Sequence, residues 1–329
     1  MAILGSHTSA AGGFYRAVER AAAVGADCVQ LFTTPPRQWP VSKSKPVRPG
    51  IKKNAPRRAQ EIPEAECLKF TDALRQSGVA YPLSHASYLI NLGSPDPELW
   101  RKSVDAFVVE LRRAESLGIP YVVIHPGAYT TSSEALGLAA IVRAVDEVDR
   151  QTADLKVGCL LETTAGQGTT LGWRFEHLAT VMERVRSPDR LGVCFDTCHV
   201  HAAGYGLQRK KEVLATIREF DKVIGLEKLK TLHLNDSKKE RGSRVDRHEH
   251  IGRGTLGLEP FWCLLNDRRF RKLPMYLETE KGIEDGRDLD RINLETLRSL
   301  IGVKSASART TAAAGTKPRR KRANRYTWT

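Results

Sequence analysis

Long apolar runs are missing from this sequence. None approaches the roughly 18 residues that a membrane-spanning helix needs, so no span is expected. The stretch MAILGSHTSAAGG has no charged leader ahead of an apolar segment, and does not read as a secretory signal. Cysteine is scarce: Cys28, Cys67, Cys159, Cys194, Cys198 and Cys263 are the six in 329 residues, and none forms a C-x-x-C pair. Four lie in or beside apolar runs, where a reduced thiol packs as a small hydrophobe. A reducing compartment is expected, without thiolate zinc ligands. No G-x-G-x-x-G follows the first apolar run, which weakens an open dinucleotide-binding sheet. Acids are absent from two segments, 43–60 and 304–329.

What is present suits a soluble globular chain, with 41% apolar and 27% charged residues. The net charge of +14 suits a polyanionic partner, nucleic acid first, and by itself suits equally well a soluble enzyme that merely carries many lysines and arginines. The two acid-free segments explain the excess. Residues 43–60, KSKPVRPGIKKNAPRRAQ, hold seven basic residues and three prolines, and read as a loop insertion. Residues 304–329 hold eight basic residues without apolar periodicity, and read as a disordered tail. The body between them is nearly neutral.

Strand and helix signals alternate eight times. Strands are expected near 2–6, 27–32, 80–84, 121–125, 157–162, 191–196, 230–234 and 275–279. Amphipathic stretches separate them, among them FYRAVERAAAVG and PELWRKSVDAFVVELRRAESLG, each with a glycine stop. The helix after strand two is placed near 64–77. Eight alternations are the count of an α/β TIM (β/α)8 barrel, here one domain over 1–303.

In such a barrel the C-terminal strand ends meet at one mouth. Strand one ends at His7, strand three at His85, strand four at His125, strand five at Glu162, and strand six at Asp196 and His199. Strand seven carries His233, its following loop Asp246 and His248, and strand eight Glu278. Only strand two lacks such a group; it runs into FTTPPRQWP. A single strand-end histidine is usually a hydrogen-bonded core or surface group, but so many carboxylates at one mouth would repel and protonate unless divalent cations joined them. Histidine with carboxylate suits zinc, manganese or iron, and the number of groups fits two or three ions. His177 reads as a surface residue of a helix, His201 as facing away from His199 by alternation, and His250 as serving a loop; all three are left out of the site.

Seven stretches in order over about residues 3–302 carry a specific resemblance: SHASYLINLGSP, IHPGAY, LETTAGQGTTLG, CFDTCHVHAAGY, HLNDSK, GSRVDRHEHIGRGTLG and LETE. They resemble the endonuclease IV family of apurinic/apyrimidinic (AP) endonucleases. The resemblance implies a TIM barrel with three metal ions, usually zinc, with manganese or iron as alternatives at a position. It implies that His85, His125 and Glu162 hold the first ion. Glu162 bridges to a second, shared with Asp196, His233 and Glu278, and is the expected catalytic group. His199, Asp246 and His248 hold the third, and His7 supports a ligand or faces a phosphate. The implied reaction is hydrolysis of the phosphodiester 5′ to an abasic site, leaving a 3′-hydroxyl and a 5′-deoxyribose phosphate, with trimming of blocked 3′ ends. By the same resemblance Arg37, Gln38, Tyr88 and Leu89 face DNA; without it, Trp39 and Tyr88 read as ordinary rim aromatics. The implied partner is double-stranded DNA with abasic sites or blocked 3′ ends, bound by a monomer without a membrane, in the cytoplasm of a prokaryote or the nucleus of a eukaryote.

Two features depart from the family pattern. The basic insertion 43–60 is long, and Gly206 stands where an acid usually follows the GY pair. KPRRKR in the tail also reads as a nuclear localisation signal. Two other functions compete: a metal-dependent sugar isomerase or epimerase on the same barrel, and a nucleic-acid binder that has lost catalysis. The latter predicts missing ligands, and all nine are present.

Overall fold

The computed structural model describes residues 2–40 and 62–305. The basic insertion 43–60 and all but the first two residues of the tail lie outside them. The first half runs β1 (Ile3–His7), α1 (Phe14–Ala23), β2 (Cys28–Phe32), α2 (Glu64–Ser77), β3 (Ala80–His85), α3 (Pro97–Ser116), β4 (Tyr121–Ile124) and α4 (Glu134–Gln151). The second runs β5 (Gly158–Glu162), α5 (Phe175–Arg184), β6 (Leu191–Asp196), α6 (Thr197–Ala203), α7 (Lys210–Val223), β7 (Leu229–His233), β8 (Asp236–Ser237), β9 (His248–Glu249), α8 (Glu259–Asn266), β10 (Pro274–Leu277) and α9 (Leu289–Ser299). Strands β1 to β7 and β10 pair in parallel and close into a barrel. This is the expected TIM barrel. No helix among the described residues is long and apolar enough to cross a membrane.

Local signals explain the helices. In α3 the Asp96 carboxylate accepts from the Leu99 amide at 2.7 Å, and Pro97 opens the first turn. Val104, Phe107, Val108 and Leu111 recur at helical spacing and are buried. Gly118, at φ 68°, takes the left-handed turn that lets the chain leave for β4.

Strand alternation divides the apolar residues into two layers. Leu4, Leu31, Ile124, Leu161, Phe195 and Leu277 point outward and pack with the helix side chains Phe107, Phe175, Phe220 and Phe261. Burying each such phenylalanine contributes roughly 1.5–3 kcal/mol. Cys28, Leu83, Val123, Leu160, Cys194 and Tyr276 form a separate cluster inside the barrel. On β1 that layer is Gly5, where a Cβ would lie 1.8 Å from the Cys28 carbonyl oxygen; only glycine fits.

Two elements were not expected. The short helix α6 follows β6 directly, started by the Asp196 carboxylate accepting from the His199 amide at 2.7 Å. His201 does face away from His199, but because two residues turn a helix by roughly 200°, not by strand alternation; its Nε2 meets the Thr255 hydroxyl at 3.1 Å. The antiparallel pair β8–β9 folds the loop after β7 back over the mouth and returns His248 to it. His177 corrects an expectation too. It is buried rather than on the surface, and accepts from the Gly172 amide at 3.1 Å. Its helix is covered there by the loop that follows β5.

Candidate metal centre

The site follows from strand parity. Two residues beyond Cys28, Leu83, Val123, Leu160, Cys194 and Tyr276, on the same inward side, come Gln30, His85, His125, Glu162, Asp196 and Glu278. His7 on β1 and His233 on β7 complete this layer; His7 is registered with Gln30 and Asp196 with His233. A packed apolar floor thus carries a ring of ligand-type side chains directly above it. All nine expected ligands reach this mouth.

Glu162 is fully buried at its centre. Its Oε2 lies 3.1 Å from Nε2 of both His85 and His125. Its Oε1 lies 2.9 Å from His233 Nδ1 and 3.3 Å from His199 Nδ1. Each oxygen therefore serves a different pair of imidazoles. Candidate groups with ligand atoms within 4.8 Å of one another are His85–His125–Glu162 and Glu162–Asp196–His233–Glu278.

Hydrogen bonds dictate where each ring carries its proton. His85 Nδ1 donates to the Ala86 carbonyl at 2.8 Å, leaving the Nε2 lone pair toward Glu162. Strand two, which lacked a recognised group at its tip, supplies Gln30. Its amide nitrogen donates to Glu278 Oε1 at 2.5 Å and to His7 Nδ1 at 2.9 Å, so its oxygen faces His233 Nε2 at 2.8 Å and takes that proton. His233 Nδ1 is then a bare lone pair facing oxygens of Glu162 at 2.9 Å and Glu278 at 3.1 Å. Asn235, also passed over, donates to Asp196 Oδ2 at 2.6 Å and accepts from the Glu278 amide at 2.8 Å.

The third group is the most exposed. His199 Nδ1 donates to the Thr163 carbonyl at 2.8 Å and His248 Nδ1 to the Glu278 carbonyl at 3.2 Å. Their Nε2 atoms, both left with lone pairs, face each other at 3.3 Å. Asp246 oxygens stand 3.1 Å from the first and 3.3 Å from the second. Only a positive species between them, a proton or a cation, makes this arrangement favourable. The Asp246 side chain is 38% exposed, and its amide donates to Gln167 Oε1 at 3.2 Å.

The same conflict governs protonation. Burial penalises charge at Glu162, yet His233 and then His125 hold its carboxyl well below the usual range. Burial is likewise outweighed at Glu278, by His233 and His7. At His199 burial lowers the pKa, but Asp196 and Asp246 raise it well above the ordinary value. At His233 the neighbouring Cys194, Glu278 and Glu162 do the same. Without a cation, the carboxylates stay charged only by charging imidazoles. His7 differs: burial lowers it to about 4, it is neutral, and its Nε2 is sealed without a partner. Sulfurs of Cys194 and Cys198 also border the candidate groups, but burial pushes both thiols up to about 12, against the thiolate form.

Two loops stand beside the mouth. Arg37 and Gln38 are exposed on the loop leaving β2. Tyr88, 55% exposed, and half-buried Leu89 follow β3. The Tyr88 ring lies 5.4 Å from that of His85 and 5.9 Å from that of His125. Its amide donates to the Pro36 carbonyl at 3.1 Å, joining the loops. Trp39 is half-buried, with the Lys102 ammonium 3.8 Å above its ring.

A family model described as the xylose isomerase-like TIM barrel matches residues 18–300. A curated relative from Geobacter sp. (strain M21), named probable endonuclease 4, is 44% identical over 92% of this chain and 99% of its own length. The chain belongs to the endonuclease IV family. Among solved structures, endonuclease IV from Thermus thermophilus is 34% identical, with a TM-score of 0.73 over 90% of this chain and 98% of that one. A D-psicose 3-epimerase from Clostridium cellulolyticum is 15% identical, with a TM-score of 0.62 over 91% of this chain and 99% of that one. That likeness concerns the barrel alone. Within the endonuclease IV pattern, the departure at Gly206 has a local counterpart. A Cβ there would lie 2.9 Å from the Glu212 Cβ, and the Glu212 carboxylate pairs with Arg241 at 3.3 Å. A carboxylate enters this space from α7 instead.

Proposed function

We propose that this chain is a metal-dependent phosphodiesterase that hydrolyses DNA on the 5′ side of abasic sites, leaving a 3′-hydroxyl and a 5′-deoxyribose phosphate, and that it trims blocked 3′ ends. Membership of the endonuclease IV family supports the activity. The observation that carries the metal chemistry is the pair of lone-pair nitrogens of His199 and His248, 3.3 Å apart beside Asp246.

The donors suit zinc, with manganese or iron as alternatives, since nitrogen and carboxylate oxygen converge and magnesium prefers oxygen alone. His85, His125 and Glu162 would hold one ion. Glu162, Asp196, His233 and Glu278 would hold a second, and His199, Asp246 and His248 a third. When bound, such ions supply the positive charge that offsets charge developing on a phosphoryl group and the acidity that activates water.

The protein's own part is positional. Glu162 joins the first two groups through its separate oxygens. Ala86, Thr163 and Gln30 fix the tautomers of His85, His199 and His233. Arg37, Gln38, Tyr88 and Leu89 face the duplex, and Tyr88 enters the space left by the missing base. A sugar without a base has lost its stacking, so its extrusion costs less than that of an intact nucleotide. A monomer suffices, because every group named lies on one chain.

The test is an incision assay on a duplex with one abasic site, run beside free ketoses. Nicking 5′ to the lesion with no ketose turnover is expected; epimerised ketose with an intact duplex would overturn the reading. Gln30→Leu, which removes that side chain's contacts to Glu278, His7 and His233, is expected to weaken retention of one ion about 10–100-fold. Elemental analysis after dialysis against graded chelator would show this as early loss of a single equivalent.

A further inference from the structure

We infer that Glu110, a carboxylate sealed inside α3 and outside the candidate metal groups, is a positioning residue that locks the loops after β2 and β3 into one DNA-gripping unit. The inference rests on the proposed reading that these loops face the duplex.

Glu110 has no exposed surface, and it interrupts an apolar helix face between Phe107 and Leu111. An apolar residue would pack there without the cost of burying a charge. The carboxylate is met instead by the start of the β2 loop. The Thr33 hydroxyl donates to its Oε2. One turn along the helix, Arg113 donates to the Thr33 carbonyl at 2.8 Å and to the Thr34 hydroxyl at 2.9 Å. Oε1 is enclosed without a hydrogen bond of good geometry. Burial raises the Glu110 pKa, while Thr33, Thr34, Arg113 and the Ser87 amide all favour its charged form. Ser87 belongs to the other loop.

From Ser87 the network closes on itself. Its hydroxyl lies 3.0 Å from the carbonyl oxygens of both Pro36 and Gln38, and the neighbouring Tyr88 amide donates to Pro36. The Asn91 amide donates to Ser103 on α3 at 3.0 Å, so the second loop is tied to the same helix. Arg37 and Gln38 on one side, Tyr88 and Leu89 on the other, are thus tied to α3, through Glu110 and Arg113 or through Ser103, and to each other through Ser87. Fixing both loops before DNA arrives removes an ordering cost from binding.

The test is Glu110→Gln in the full-length, metal-loaded protein. It keeps the volume but loses the charge and one acceptor. The dissociation constant for an abasic duplex, read by fluorescence anisotropy, should rise about tenfold. Metal content and kcat at saturating duplex should hold. Tyr88→Ala should weaken binding in the native background and weaken it less in the Glu110→Gln background, because a loop already displaced has less to lose. A dissociation constant equal to that of the unaltered protein, or fully additive effects, would overturn the inference. If Tyr88→Ala alone leaves binding unchanged, the loops do not grip DNA, and the reading beneath the inference falls with it. Should Glu110→Gln not fold, Thr34→Val removes one hydroxyl from the same network and is judged by the same outcomes.

Discussion

Glu162→Gln is expected to lower strand incision by on the order of 10³-fold or more while leaving affinity for an abasic duplex intact. The two side chains have the same shape, so no cavity forms. The chemistry changes at one atom. The carboxylate offers an oxygen to His85 and His125 and another to His233 and His199. An amide offers one oxygen and one NH2, and whichever side receives the NH2 loses its anionic donor. In the proposed centre one ion would then lose a carboxylate oxygen, and Glu162 would no longer serve both groups of ligands. Single-turnover incision, anisotropy and elemental analysis on the same preparation separate these effects. Incision at the unaltered rate would remove Glu162 from the centre of the mechanism. The metal-free variant should melt earlier than the metal-free parent near neutral pH, since the imidazoles hold the Glu162 carboxyl well below its usual range and its charge therefore stabilises the folded state.

Stripping the ions should abolish incision, with recovery when zinc is returned. It should also lower the melting temperature. An ion present at about 1,000 times its dissociation constant contributes roughly 4 kcal/mol to the folded state. At about 2 °C per kcal/mol for a large domain, that is roughly 8 °C for each ion removed. The sign of the pH dependence follows from the imidazoles. His199 and His233 have raised pKa values, so they are protonated more readily than free histidine. Proton and cation compete for one lone pair, so affinity falls as pH drops through that raised range, and chelation is easier on the acid side. A melting temperature indifferent to chelator at every pH would contradict the proposed centre.

The barrel was legible because its signals are local and repeated. Apolar runs of strand length alternate with helical periodicity, and glycine stops close the helices. Asp246 and His248 lie in the loop after β7, but most of the candidate ligands were legible because each is a costly group at the end of such a run. Gln30 was not, for a definite reason. It lies two residues before the tip of β2, within the run CVQLF, and an uncharged amide there raises no alarm. The cue was available in parity: His7, one strand over, is its registered partner. Glu110 escaped for the opposite reason, because charged residues on an amphipathic helix are normally on its wet face, and only the packing of two loops over α3 makes this one dry. His177 was misread by the same habit. The helix α6 was hidden because CFDTCHVHAA reads as continued strand alternation until Asp196 is recognised as a cap.

Among the described residues, the apolar floor closes the lower side of the centre. Cys28, Leu83, Val123, Leu160, Cys194 and Tyr276 fill the lumen, with Ile3 and Tyr121 packed against them, so nothing approaches the carboxylates from below. On the proposed function, lesion, water and scavenger would come in from above. A damaged duplex lying across the mouth would then also cover the cations, and chelator should strip them more slowly from the engaged protein than from the free one.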